Sequence, residues 1–150
     1  MRHKYLVISV LLAIILTACS TTQQKEYKKV VNYFETTHNY KIDSTITKIV
    51  VIDEGKGCGT CDKTFAETCF KSFTKENTVF LVTAKGNYVD IQPFLGLEKN
   101  CYFDWQLNLK EYPEFGSSKV IYLKNNVIDT IVVINSSEIM QQLEFFKTRN

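Results

Sequence analysis

The sequence lacks several features that would narrow its function at once. No apolar run is long enough to cross a bilayer. The apolar core "YLVISVLLAIIL" is twelve residues long, whereas a membrane helix takes about 20. Histidine is scarce: His3 sits in the basic head of the chain, and His38 is far from the other chemistry-bearing residues. Cys58 and Cys61 form one CxxC, but Cys69 and Cys101 do not form a second. Zinc sites usually gather four thiolate or imidazole ligands at tight spacing, so no metal and no cofactor are expected. No internal repeat, low-complexity tract or second domain is visible. The formal charge is +2, from 18 Lys and Arg against 16 Asp and Glu. Arg2 and Lys4 fall in the first eighteen residues, which hold no acid, so the rest carries 16 of each sign. Nothing in that balance asks for a nucleic-acid partner.

What is present begins with the N-terminus. "MRHK" is followed by the apolar core and then by Leu16-Thr17-Ala18-Cys19. The core has the length of a signal-peptide h-region, and its end resembles a bacterial lipobox. We expect residues 1–18 to be a lipoprotein signal, cleaved before Cys19, with lipid on that cysteine. Each buried acyl methylene adds about 0.8 kcal/mol, so Cys19 would hold the protein to a membrane with no spanning helix. Residues 19–26 read as a polar tether and 27–150 as one domain. "STTQQ" after Cys19 carries no acidic retention or export tag. The expected location is therefore the cell envelope, on the outer membrane facing the periplasm. Outside the cytoplasm thiols can be held oxidised. The four remaining cysteines, Cys58, Cys61, Cys69 and Cys101, favour disulfide chemistry.

Periodicity gives the elements. "YKKVVNYFETT" (27–37) places Tyr27, Val30, Val31 and Phe34 on one helical face. "TKIVVI" (47–52) and "TVFLVT" (78–83) are near-continuous runs suited to strands buried on both faces, and they should pair in parallel. A helix over 61–75 buries Phe65, Cys69 and Phe73. Ile91, Phe94 and Leu95 suggest a short helix with Pro93 in its first turn. "CYFDW" reads as an edge strand. "KVIYL" (119–123) and "VIDTIVVI" (127–134) form a hairpin about "KNN". Asn135 should cap a last helix, with Glu138 closing a capping box and Ile139, Leu143 and Phe146 forming its buried stripe. The expected class is α/β: a central mixed sheet of about four to five strands flanked by helices, in β-α-β-α-β-β-α order.

"EGKGCGTCDKTF" (54–65) lies where a buried strand gives way to a helix. Helix starts offer unpaired N–H groups and partial positive charge. Both favour a thiolate, and the thiolate is the nucleophile of disulfide exchange. Cys58 would attack, and Cys61, one turn later, would resolve. Gly59 and Thr60 add little bulk between them. Lys56 and Lys63 flank the pair. A static staple is the competing reading. Cys69 reads as a buried small hydrophobe or as a partner for Cys101, a pairing that needs Cα atoms within about 7 Å. Phe65, Phe70 and Phe73 read as core. Tyr102, Phe103 and Trp105 read as packing, or as a groove near the active end.

"VVID…GCGTC", with its helix, second strand and late hairpin plus helix, resembles the thioredoxin-like fold over about 46–147. More narrowly it is similar to small exported thioredoxin-like lipoproteins of Bacteroidetes-type bacteria that share GCxxC. The resemblance implies an attacking Cys58 and a resolving Cys61. It also sets Ser118 where thioredoxins carry a cis-proline, with Pro113 five residues upstream. Ile52 stands where they bury an acid, and Gly57 where a tryptophan is common. The implied function is membrane-anchored thiol–disulfide exchange through CGTC with a protein thiol or disulfide partner. The alternative is a non-catalytic envelope lipoprotein of the same fold that binds a partner and keeps the CxxC as a structural disulfide.

Overall fold

The computed structural model describes residues 22–53, 59–74, 76–83, 100–106 and 111–148. β-Branched residues dominate the strands and both faces of them are covered, so β1 (Lys48–Asp53) and β2 (Thr78–Thr83) are buried along their whole length. They pair in parallel from Lys48↔Thr78 to Asp53↔Thr83. The edge strand β3 (Cys101–Asp104) joins β2, also in parallel. On the other side β4 (Lys119–Lys124) runs antiparallel to β1, and β5 (Val127–Val133) antiparallel to β4. The result is a five-stranded mixed sheet in the order β3-β2-β1-β4-β5. Asn125 and Asn126 make the hairpin turn at φ of 53° and 60°. Consecutive positive φ values are the geometry of a type I′ turn, which asparagine tolerates.

Alternation along the strands divides the core into two layers. Ile49, Val51, Val79, Leu81 and Ile121 face helix α1 (22–38) and pack with its Val30, Tyr33 and Phe34. Val50, Ile52, Phe80, Val82 and Val120 face α2 (Gly59–Ser72) and α3 (Ile139–Thr148). The rings of Phe65 and Phe146, 5.8 Å apart, join those two helices. Three helices therefore flank the sheet among the described residues, one on one face and two on the other. None of them is long and apolar enough to cross a membrane.

The expected parallel pair, hairpin, edge strand and covering helices are all present. Four expectations need correction or fall elsewhere. Helix α1 occupies 22–38 and so takes in most of the segment expected to be a tether. Gln, Lys and Glu are good helix formers, and solvated turns can extend a helix whose later turns are packed. The element order reads α-β-α-β-β-β-β-α, with α1 ahead of β1, the expected edge strand β3 counted as a full member of the sheet, and the 3-10 turn Pro113–Phe115 before β4. The short helix expected near 91–95 lies outside the described residues, as do the signal segment and Cys19. The capping box also differs. The Asn135 side chain accepts from the Ser137 N–H and hydroxyl. α3 begins only at Ile139, so Asn135 stands ahead of it at a turn, and the Asn135 N–H donates to Gln142 Oε1 at 3.0 Å, not to Glu138.

Candidate functional site

The parallel strands deliver their carboxyl ends to one edge of the sheet. This is where open α/β sheets place their chemistry. β1 ends at Asp53 and α2 opens at Gly59. Cys58 and Lys56 lie in the five residues between, outside the described part. Gly59 and the exposed Thr60 begin α2, and the Thr60 carbonyl accepts from the Thr64 hydroxyl at 2.9 Å. Cys61 is half-buried in the first turn, and Lys63 is exposed.

Next to Cys61 stands the residue that reading the sequence missed. Asp62 is 5% exposed and Ser118 is equally buried. The Ser118 hydroxyl donates to Asp62 Oδ1 at 2.6 Å and accepts from the Asp53 N–H at 3.0 Å. Asp53, also buried, accepts from the Ser117 N–H through Oδ2 at 3.2 Å. One serine thus ties the end of β1, the start of β4 and the first turn of α2 into a polar cluster. Ser117 holds φ at 76°, in the left-handed region that favours glycine, so backbone strain sits beside the cluster.

Burial raises the Asp62 pKa above the ordinary carboxylate value. The Ser118 hydrogen bond pulls it back, the Asp53 charge adds to the rise, and the net direction is upward. Asp62 therefore holds its proton to higher pH than a solvated carboxyl. It can be a hydrogen-bond donor in one state and a proton acceptor in the other. Lys119, on the opposite face at the start of β4, is buried too. Desolvation lowers its pKa, while Glu114 and Asp53 favour its charge.

The remaining thiols differ in kind. Cys69 is fully buried on the α2 stripe and Cys101 half-buried against the same layer. Both are thiols in this structure, without the disulfide between them that the sequence left open. Burial pushes the Cys69 pKa well above the usual thiol value and that of Cys101 up to about 12. At pH 8 only about 10⁻⁴ of Cys101 would be thiolate, so neither residue is equipped for exchange.

The aromatic residues divide. Tyr102 packs at the α1 face, 5.0 Å from both His38 and Tyr40. Phe103 and Trp105 are exposed, their rings 5.5 Å apart, by the carboxyl end of β3. His38 belongs to a second polar group. The Tyr33 hydroxyl donates to Asp104 Oδ2 at 2.8 Å and lies 3.2 Å from His38 Nε2. Among the described residues no three His, Cys, Asp or Glu side chains gather closely enough to hold a metal ion.

No protein-family model, no curated protein and no solved structure matches this chain.

Proposed function

We propose that the chain is a lipid-anchored, thioredoxin-like envelope protein that carries out thiol–disulfide exchange through Cys58 and Cys61. The observation that carries this reading is the buried Asp62–Ser118–Asp53 cluster at the strand end and helix start that frame CGTC. A structural staple has no use for a buried carboxyl with a raised pKa beside it, because such a group lowers stability at neutral pH. A centre that moves protons as thiols form and break does have a use for one.

Two further features support the reading. The mixed sheet holds one parallel pair, β1 with β2, and one antiparallel hairpin, β4 with β5, and α2 leaves the end of β1, which is compatible with the proposed reading. Ser118, which the resemblance sets in the cis-proline position, is joined to the first turn of α2. In exchange, the Cys58 thiolate attacks one sulfur of a partner disulfide, and the other sulfur leaves as a thiolate. Cys61 then attacks the Cys58 sulfur and releases the second partner thiolate. The partner gains two electrons and two protons, and Cys58–Cys61 becomes the disulfide. Asp62, the next residue along the chain, is the buried acid we assign to take up the proton that Cys61 must lose.

The experiment is a redox titration of the Cys58–Cys61 couple together with an exchange assay. Exchange activity with a potential above about −300 mV is expected. A lower potential with no exchange would assign a structural disulfide. Anchoring is tested separately. Fatty-acid labelling should mark the wild type and not Cys19→Ala, and an unlabelled wild type would refute the anchor.

A further inference from the structure

At the opposite end of the sheet from CGTC, two adjoining hollows form one groove. The larger, about 530 Å³, has Ile46 and Leu123 in its floor, with Thr47 and Lys124 at its edge. The smaller, about 440 Å³, reaches toward Gln24, Lys28 and Asp43. Tyr27, Ser44 and Asn126 line both. The turn of the β4–β5 hairpin, the loop before β1 and the first turns of α1 meet here. The Tyr27 hydroxyl donates to Asn126 Oδ1 at 3.4 Å. The Asn126 amide NH₂ is then the group left to donate to anything in the groove.

The charges are arranged in two parts. Lys124 and Lys28 are exposed ammonium groups at its two ends. Ser44 and Asn126 add neutral donors between them. Among the described residues Asp43 is the acid that lines the smaller hollow. Its carboxylate accepts from the Thr45 hydroxyl and N–H, bonds that hold its pKa below the usual value. A ligand suited to this lining carries an anion and a cation a few ångströms apart on a short carbon linker. The carbon atoms would lie over Ile46, Leu123 and the Tyr27 ring.

Chain length says what meets this end. Gln24 is five residues from Cys19, at most about 18 Å of extended backbone. Lipid on Cys19 would hold the groove close to the bilayer surface. We propose that the groove receives the headgroup of an aminophospholipid, its phosphate toward Lys124 and Ser44 and its ammonium toward Asp43. This rests on the lipid anchor of the proposed function. It adds an orientation. β1 runs six residues from the groove to the candidate site, about 20 Å. The CGTC end then faces away from the membrane, toward soluble partners.

The test uses the full chain, processed and lipid-modified in cells, in nanodiscs that contain phosphatidylethanolamine, in nanodiscs of phosphatidylglycerol alone, and in detergent. Amide hydrogen exchange over 42–47 and 124–126 should slow about tenfold in the ethanolamine discs relative to detergent. Exchange over 59–72 should not change. Lys28→Glu with Lys124→Glu should abolish the protection, and Asp43→Asn should remove the advantage of ethanolamine discs over glycerol discs. The double lysine variant should keep the wild-type melting temperature, since both side chains are exposed; Asp43→Asn weakens the bonds from Thr45 and should keep the wild-type far-UV circular dichroism at the assay temperature. Equal exchange in discs and detergent would overturn the proposal. So would equal protection by both lipids, which is charge attraction alone, or the same protection by inorganic phosphate in detergent, which is a phosphate pocket. Fatty-acid labelling of the same preparation separates the two failures. Label without protection refutes the groove and leaves the anchor standing, whereas absence of label refutes the anchor and the proposal with it.

Discussion

Each face of the sheet carries an aspartate near the carboxyl end of the parallel strands, and the two are held differently. Asp104, at the end of β3, accepts from the Tyr33 hydroxyl through one oxygen and from the Gln106 N–H through the other. Burial shifts the two groups beside it. It raises the Tyr33 pKa far beyond the usual phenol value and lowers that of His38. Tyr33 thus remains a neutral donor, and the group works as a fixed tie between α1 and β3. Among the described residues Asp62 has one side-chain donor, Ser118, and it bears the burial penalty on its own carboxyl. Two acids on one edge teach that hydrogen-bond supply decides the role. A well-supplied carboxylate makes a tie. An undersupplied buried one is a group that can exchange a proton.

The contrast is broken most severely at Tyr33. Tyr33→Phe keeps the ring packing against Phe34 and Phe115 and removes the donor to Asp104. Stability should fall by about 1–3 kcal/mol, read by denaturant unfolding, with the rate of exchange at Cys58–Cys61 unchanged. Ser118→Ala should cost somewhat less, about 1–2 kcal/mol. It leaves Asp62 without its side-chain donor and raises its pKa further, so the pH profile of exchange should move upward. A profile that does not move would detach Ser118 from the chemistry.

Asp62→Asn sharpens the comparison with the smallest effect on stability. The folded pKa of Asp62 lies above its unfolded value, so the folded state binds the extra proton. Its contribution to stability is fully present below the unfolded carboxylate pKa. It is lost as pH rises from there through the raised folded value. In Asp62→Asn that slope should disappear, and stability at neutral pH should equal or exceed that of the wild type. Unfolding curves at several pH values between the usual carboxylate range and neutrality check this. A wild type that gains stability over the same window would contradict the direction assigned to Asp62.

Much of this architecture is written in the sequence because it rests on periodicity. β-Branched runs marked β1, β2 and the hairpin, and the twin asparagines marked its turn. The location of CGTC followed from the same pattern. Asp62 escaped notice although a signal for it existed. Residues 62, 65, 66, 69 and 73 share one helical stripe, and an acid in register with Phe65, Ala66, Cys69 and Phe73 is an acid facing the core. The Ser118–Asp62 bond spans 56 residues, and no local pattern encodes a contact of that range. Gln142 replacing Glu138 at the last cap is a milder case. Both residues suit the role, but α3 begins only at Ile139, and the Gln142 amide both accepts from the Asn135 N–H and donates to the Val133 carbonyl.

The most direct test of the central claim is a trap in cells carrying Cys61→Ser. With the resolving thiol gone, Cys58 should accumulate mixed disulfides with protein partners, seen as species that collapse on reduction. Cys58→Ser should accumulate far fewer. Cys69 and Cys101, buried with raised pKa values, should restore trapping in neither case. The account predicts abundant Cys58-linked species in Cys61→Ser alone. No trapped species, or equal trapping in the two variants, would contradict it and leave the CxxC as a structural disulfide.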